Sequence, residues 1–514
     1  MPTVPVRDLG NGGIVLDTPA VLLPPNTFSN GRNVRFHNES VAKMFGHQQL
    51  FDLQNTVENL LYWPRQETVS GTTTVGPSYL FATDTAVFRQ GPTGTPIMIG
   101  SGYTAGGFWQ STLFNGGYTA IFNNTLDAPQ YITTGNTGVA AETMLQPLIS
   151  WPAGLTAGVI KPIGYALMAG NLRQAAAGTI VMEQPGSIRI SSQAAPGSIP
   201  TNWNVGAALL TTADEFELSQ TSPVTDMVDL RGYTLVFTEN SIHRVQVATG
   251  RQPTQVQNLN IGRGALAVDC AAEFDGHVFA VDFNDIYITS GSGAVTSVAD
   301  HAVRDYFFRN LNQDHYRNTF VVRNIAEDEM WIIYPTQSST GPCDEAMIWN
   351  YRHRTWSIRD MPGTRGGVLG PRVENNVFTN NVDYMSFTGD TSLLHTADIG
   401  NTFNGVNFEA YVEKRIINFG DLSTSEQTSD FYPLMDGVGE VQLDFLGTDA
   451  VGEPVDFTTD PEVASTTFNI TTDYKVDPRQ TGRFLNFRLS SNDANSWRLA
   501  GYDIDTVEST SRRR

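Results

Sequence analysis

Apolar residues in this chain fall in short runs of about four to eight, rich in Val, Ile, Phe, Tyr and Trp and bounded by Gly, Pro, Asn or Asp. Runs of that length and composition, closed by turn formers, predict β-strands and hairpins. Stripes with a 3.6-residue period are scarce, and the best helix candidate is short, "DHAVRDYFFRNL" at 300–311. One unit recurs, an apolar strand, a polar turn and a second strand, at 79–91, 118–135, 233–250, 277–293, 346–360 and 384–400, with a weaker copy at 165–192. The turn residues Asp84 and Asn124, Asn240 and Asn284, and Asn350 and Asp390 stand 40, 44 and 40 apart. A period near forty, with about four short strands per unit, is the spacing of propeller blades. The expectation is therefore an all-β chain with a β-propeller-like domain. A large β-sandwich with less regular hairpins is the competing reading.

Texture divides the chain. Residues 51–405 carry the repeat, and 1–50 are expected to supply a strand that closes the ring, since closure removes free sheet edges. Near 405 the pattern changes. From Asp421 to Asp473 there are twelve Asp and Glu and no Lys or Arg; the chain then turns basic, alternates in "RFLNFRL" at 483–489, and ends Arg512-Arg513-Arg514. Residues 406–514 are read as a separate small β-sandwich, with the boundary in "DIGNTFNGVN" (398–407).

Charge narrows the function. The chain has 53 Asp and Glu against 32 Lys and Arg, a net charge of -21. Gripping a phosphate backbone needs Lys and Arg, so sequence-specific nucleic-acid binding is not expected. Lining a passage that nucleic acid crosses without sticking is compatible with such acidity. The only cysteines, Cys270 and Cys343, exclude a disulfide scaffold and a thiolate zinc cluster, and are expected to be buried and inert. The opening "MPTVPVRDLGNGG" lacks an apolar signal core, and no run reaches the length of a membrane helix.

No catalytic, cofactor or metal constellation emerges. There is no phosphate-cradling Gly-Lys loop, no HExxH and no GxSxG, and the eight histidines are scattered. Glu327, Asp328 and Glu329 form an acidic group of the kind glycosidases use, but read as a charged turn before the strand Met330–Tyr334. Asp282 and Asp285 are too few for a calcium loop. Trp203, in "RISSQAAPGSIPTNWNVG" (189–206), is read as a structural anchor that pins an irregular linker to a blade, because an indole buries a large area while ordering few torsions. The acidic run 421–473 reads by default as a solvated surface and, more sharply, as a channel wall that repels a phosphate polymer, with Asp436, Glu440 and Asp444 as the candidate wall residues.

Several stretches resemble one family. "LPPNTFSNGRNVRFHNESVAKMFGHQ" (23–48) is similar to the N-terminal signature of tail proteins of short-tailed bacteriophages. So are "IRISSQ" followed by "TNWN" (188–204), although the family's Trp-Ser is here Ile190-Ser191, and "LRGYTLVFTENSIHRVQVATG" (230–250), "IWNYRHRTWS" (348–357) and "DPRQTGRFLNFRLSSNDANSWRLAGYDIDTV" (477–507). The family is the tail hub or nozzle, also called a DNA-stabilisation protein. The resemblance implies a non-enzymatic, propeller-based subunit of the virion tail. Six copies would form a ring below the portal and its adaptor, beside fibres or spikes, closing the DNA channel after packaging and conducting DNA at ejection. The alternatives are a tail-associated glycan depolymerase or a receptor-binding adhesin.

Overall fold

The structure is a computed structural model that describes all residues except 1–2, 65–66, 70–72, 76, 134–143, 177–178, 206–212, 220–221, 248–253, 390–391, 419–424 and 509–514. Asp390, Asp421 and the terminal arginines thus lie outside the described residues.

Alternating side chains and tight turns build seven four-stranded antiparallel sheets along the chain. Their first strands are Asn59–Trp63, Trp109–Phe114, Leu155–Ile163, Val224–Leu230, Ala271–Phe274, Phe320–Asn324 and Gly367–Gly370. Each of these strands touches the first strand of the next sheet, and the seventh touches the first, so the sheets close as the blades of a β-propeller around an axis. The blade pitch is somewhat longer than forty, and longest in the third blade, where the segment after Ile190 precedes the last strand, Asp214–Glu217. Hairpin chemistry fits the turns. Phe274 pairs with His277 across Asp275-Gly276, both with positive φ (46° and 76°), as a two-residue turn matched to strand twist requires. Apolar residues between neighbouring blades form separate core clusters, so each blade is covered by the next.

The fourth strand of the seventh blade is His47–Asp52, which pairs with Leu393–Ala397. The rest of the N-terminal segment lies elsewhere, which redraws the 1–50 and 406–514 division. Two sheets form a sandwich. The first contains Val34–His37, Ser40–Lys43, Trp497–Glu508, Glu426–Gly437 and Thr481–Gly482, with Thr3–Arg7 also paired to Trp497–Glu508. The second is Asn30–Arg32, Ala410–Asn418, Phe484–Ser491, Glu440–Thr448 and Ala464–Asn469. One core joins Val6, Phe28, Phe36 and Val41 to Phe431, Phe445, Phe487 and Tyr502. The sandwich is therefore made from both ends of the chain.

The expected helix at 300–311 is confined to Arg304–Asn310. Its first turn is capped from far away, where Asp17 accepts the N–H groups of Asp305 (2.7 Å) and Tyr306 (2.9 Å). The supposed boundary at 398–407 is pinned: Phe403 stacks on His47 (4.6 Å) and Phe408 (3.9 Å), and Asp398 binds Arg35.

Candidate functional site

The densest polar chemistry lies where the sandwich meets the sixth blade, and the "NGRNVRF" stretch (30–36) builds it. Alternation sends Val34 and Phe36 into the sandwich core and leaves Arg35 on the other face. Arg35 donates to both oxygens of Glu329, Nε to Oε1 at 2.7 Å and Nη2 to Oε2 at 3.0 Å, and to Asp398 at 3.0 Å, with Glu327 at 3.7 Å. Trp331 Nε1 donates to Glu329 (2.9 Å), and the Asn324 amide donates to Asp398 (2.9 Å). Burial opposes the Arg35 charge, but Asp398, Glu329 and Glu327 outweigh it and hold its pKa well above the ordinary value. Next to it, Arg32 pairs with Glu345 and, at 3.0 Å, with Asp360, while Tyr306, Asn310 and Tyr334 all donate to Glu345. Asn33 exchanges two bonds with Asp360, giving at 2.7 Å and accepting at 3.0 Å.

This corrects the reading of Glu327, Asp328 and Glu329 as one charged turn. Glu329 opens a buried strand, 1% exposed, and is engaged in the joint. Asp328 sits at φ 57°, accepting from Tyr351 Oη (3.0 Å) and pairing with Arg352 (2.6 Å). The arrangement satisfies the buried carboxylates and fixes orientation, because each is matched by a guanidinium, indole, hydroxyl or amide donor.

Ring closure borders the same joint. Arg359, fully buried, donates to the carbonyls of Phe45 (3.0 Å) and Gly46 (3.1 Å) and faces the Trp331 and Phe403 rings at 5.1 Å each. Gly46 has no room for a side chain, since a Cβ would lie 1.9 Å from Thr402 O. His47 and His395, each 3% exposed, meet edge-on at 4.8 Å. Burial, with Arg359 and His395 adding repulsion, pushes the His47 pKa down to about 2, and burial pushes His395 down to about 4.

The candidate wall residues do not form one surface. Asp436 is exposed in the first sandwich sheet, across from Arg498; Glu440 is exposed at the start of a strand of the second sheet. Asp444, four residues further on, is only 2% exposed and accepts from Gln442 Nε2 (2.8 Å). It lies opposite Arg488, which packs over Tyr411 (4.3 Å) and pairs with Glu409 (2.8 Å). That covered outer face overturns Asp444 as a wall residue, a long-range effect that strand alternation alone does not reveal.

Trp203 is fully buried among Phe114, Ile121, Leu155 and Leu172, and meets Trp151 edge-on at 4.7 Å. It holds the 191–205 segment against the second and third blades. Cys270 and Cys343 are both buried and unbridged; burial pushes each thiol up, and their S–H groups reach the carbonyls of Thr319 and Asn318, both at 3.1 Å. Among the described residues no three His, Cys, Asp or Glu side chains are grouped for a metal, and no helix is long and apolar enough to cross a membrane.

At the propeller axis, Lys161 of the third blade pairs with Asp269, which precedes the fifth. Asp226 of the fourth blade is buried beside them and accepts from the N–H groups of Met227 (2.8 Å) and Ala271 (3.0 Å). Burial raises its pKa against the pull of Lys161.

No protein-family model matches the chain, and no curated protein matches it. Among solved structures, the WD40 β-propeller domain of Doa1 is similar at 10% identity and a TM-score of 0.37, over 68% of this chain and 96% of that one. A likeness of that degree carries no information about function.

Proposed function

We propose that the chain is a non-catalytic structural subunit of a short-tailed phage tail, a hub or nozzle protein. In this reading six copies form a ring below the portal and adaptor, close the DNA channel after packaging, and conduct DNA at ejection. Fibres or spikes are lateral neighbours, and DNA passes without sequence-specific contacts.

The observation that carries the reading is the joint. The segment with the family resemblance, Asn30 to Phe36, is the one that bolts the sandwich to the sixth blade through Arg32, Asn33 and Arg35. The residues that carry the resemblance to a tail family thus have a mechanical task, holding the sandwich and the propeller in one orientation, which suits a wall that contains DNA. The net charge of -21, multiplied by six in a ring, suits a conduit that phosphates must leave quickly. Repulsion acts within about 8 Å at physiological ionic strength, so exposed carboxylates such as Asp436 and Glu440 matter where the passage is narrow.

The test is imaging of the purified protein alone and mixed with the neighbouring adaptor. A six-fold ring with a central channel is the expected result. A protein that stays monomeric with the adaptor and cleaves a glycan would overturn the proposal in favour of a depolymerase.

A further inference from the structure

Two adjoining cavities occupy the propeller axis, about 230 and 460 Å3, and share Phe108, Val268 and Arg317 as walls. Their combined size is that of a small-molecule site. The larger one is walled on one side by the hairpin of Ala166–Ala176 and Thr179–Ile190, which brings Arg173 and Glu183 to it, and on the other by the Tyr316–Asn318 turn before the sixth blade.

Four charged side chains face the larger cavity: Arg173, Arg317, Glu183 and Glu239. Their pairing is incomplete. Arg317 is exposed and has no carboxylate within ion-pair distance among the described residues; its Nε reaches only Tyr316 Oη at 3.4 Å. Glu239 likewise has no cation within that distance. Arg173 Nε is buried and without a hydrogen bond, with Glu183 Oε1 3.4 Å away at an unfavourable angle. The two guanidiniums, brought from opposite sides of the ring, oppose each other: burial first, and Arg317 after it, lower the Arg173 pKa. By contrast, the charges of the smaller cavity other than the shared Arg317 are matched, Glu58 with Arg365 at 2.9 Å and Asp269 with Lys161. Asn171, Thr125 and Thr225 add neutral hydrogen-bonding groups to the larger cavity, and Phe108 and Tyr316 add aromatic faces.

We propose that this axial chamber binds an acidic sugar, with its carboxylate or phosphate held between Arg173 and Arg317 and its hydroxyls donating to Glu239 and Glu183. A simple anion would satisfy the arginines and meet repulsion from the two glutamates. A neutral sugar would satisfy the glutamates and leave two guanidiniums facing each other. A polyhydroxylated ligand with one oxyanion satisfies both, and charge-assisted bonds to guanidinium are the strong ones. The proposal is independent of the six-copy ring proposed above.

Calorimetric titration of the full chain is the test, using D-glucuronate, glucose 6-phosphate, D-glucose and inorganic phosphate. The expected result is saturable binding of glucuronate, glucose 6-phosphate or both, which separates a carboxylate from a phosphate preference. It should weaken with added salt and be at least about tenfold weaker in Arg317→Gln and in Glu239→Gln. Arg317 and Glu239 are exposed, so both variants should fold, and an unchanged melting temperature checks this. Absence of binding by both acidic sugars, equal binding of inorganic phosphate, or full affinity in Arg317→Gln overturns the proposal.

Discussion

Acid should open the propeller at its seam, and two histidines set the size of the effect. His47 begins the closing strand, and His395 lies on the strand it pairs with. Both are 3% exposed, with pKa values pushed down to about 2 and about 4. In the unfolded chain each ring titrates near ~6.5. Above that pH both rings are neutral in either state, and the packing is undisturbed. As pH falls below it, the unfolded chain takes up protons that the folded chain refuses, so stability declines until the folded pKa is reached. At pH 5 each ring is about 1.5 units below its unfolded pKa, which is ~2 kcal/mol per ring and ~4 kcal/mol for the pair. The perturbation is a shift from pH 7.5 to 5.0, read by urea denaturation of the wild type and of a His47→Gln, His395→Gln double variant. The wild type should lose about 4 kcal/mol more than the variant. His37 and His243 also have lowered pKa values, but both proteins contain them, so their contribution cancels. Ring proton shifts in the wild type give a second reading. Equal losses in the two proteins, or a midpoint above about 6 for both rings, would refute the reasoning.

Arg35→Met should leave Glu329 buried without its cation and cost about 3–5 kcal/mol, measured by denaturation, whereas removing Arg35 and Glu329 together should cost less than the sum of the two. Trp203→Ala should cost about 3–5 kcal/mol and lower the melting temperature; an unchanged melt would mean the indole is not packed against Trp151. Asp436→Lys and Glu440→Lys should each change stability by no more than about 0.5 kcal/mol. Asp444→Lys should cost several times that, because it places an unmatched cation in a covered site beside Arg488. On the proposed tail role, particles carrying the Asp436→Lys and Glu440→Lys reversals should release DNA more slowly in low salt, and a normal rate would mean that exposed carboxylates at 436 and 440 do not ease its passage.

The sequence displayed what is local. Hairpins such as that across Asp275-Gly276 follow from residues adjacent in the chain, and enough of them at a regular pitch imply a propeller. Burial that depends on distant segments was not legible. Glu329 looks like part of a charged turn until Arg35, nearly three hundred residues earlier, arrives against it. Asp444 alternates outward as an exposed residue should, yet Arg488 and its neighbours cover that face. The N-terminal segment looked like a single closing element because the register of Thr3–Arg7 is set by residues near the other end of the chain. The axial approach of Arg317 to Arg173 depends on closure of the propeller in the same way.

That last register has a consequence during synthesis. Thr3 pairs with Asp505, and Val41 with Leu499. At ~5–20 residues per second, the first strands leave the ribosome roughly 25–100 s before their partners exist. The seven blades can close in that interval, because His47–Asp52 is made early and needs only the seventh blade. The apolar faces of Val34, Phe36 and Val41 meanwhile stay uncovered until Phe484–Ser491 and Trp497–Glu508 emerge. A nonsense mutation shortly before Phe484 would therefore produce a closed propeller carrying a permanently open sheet, prone to aggregate with nascent chains in the same state.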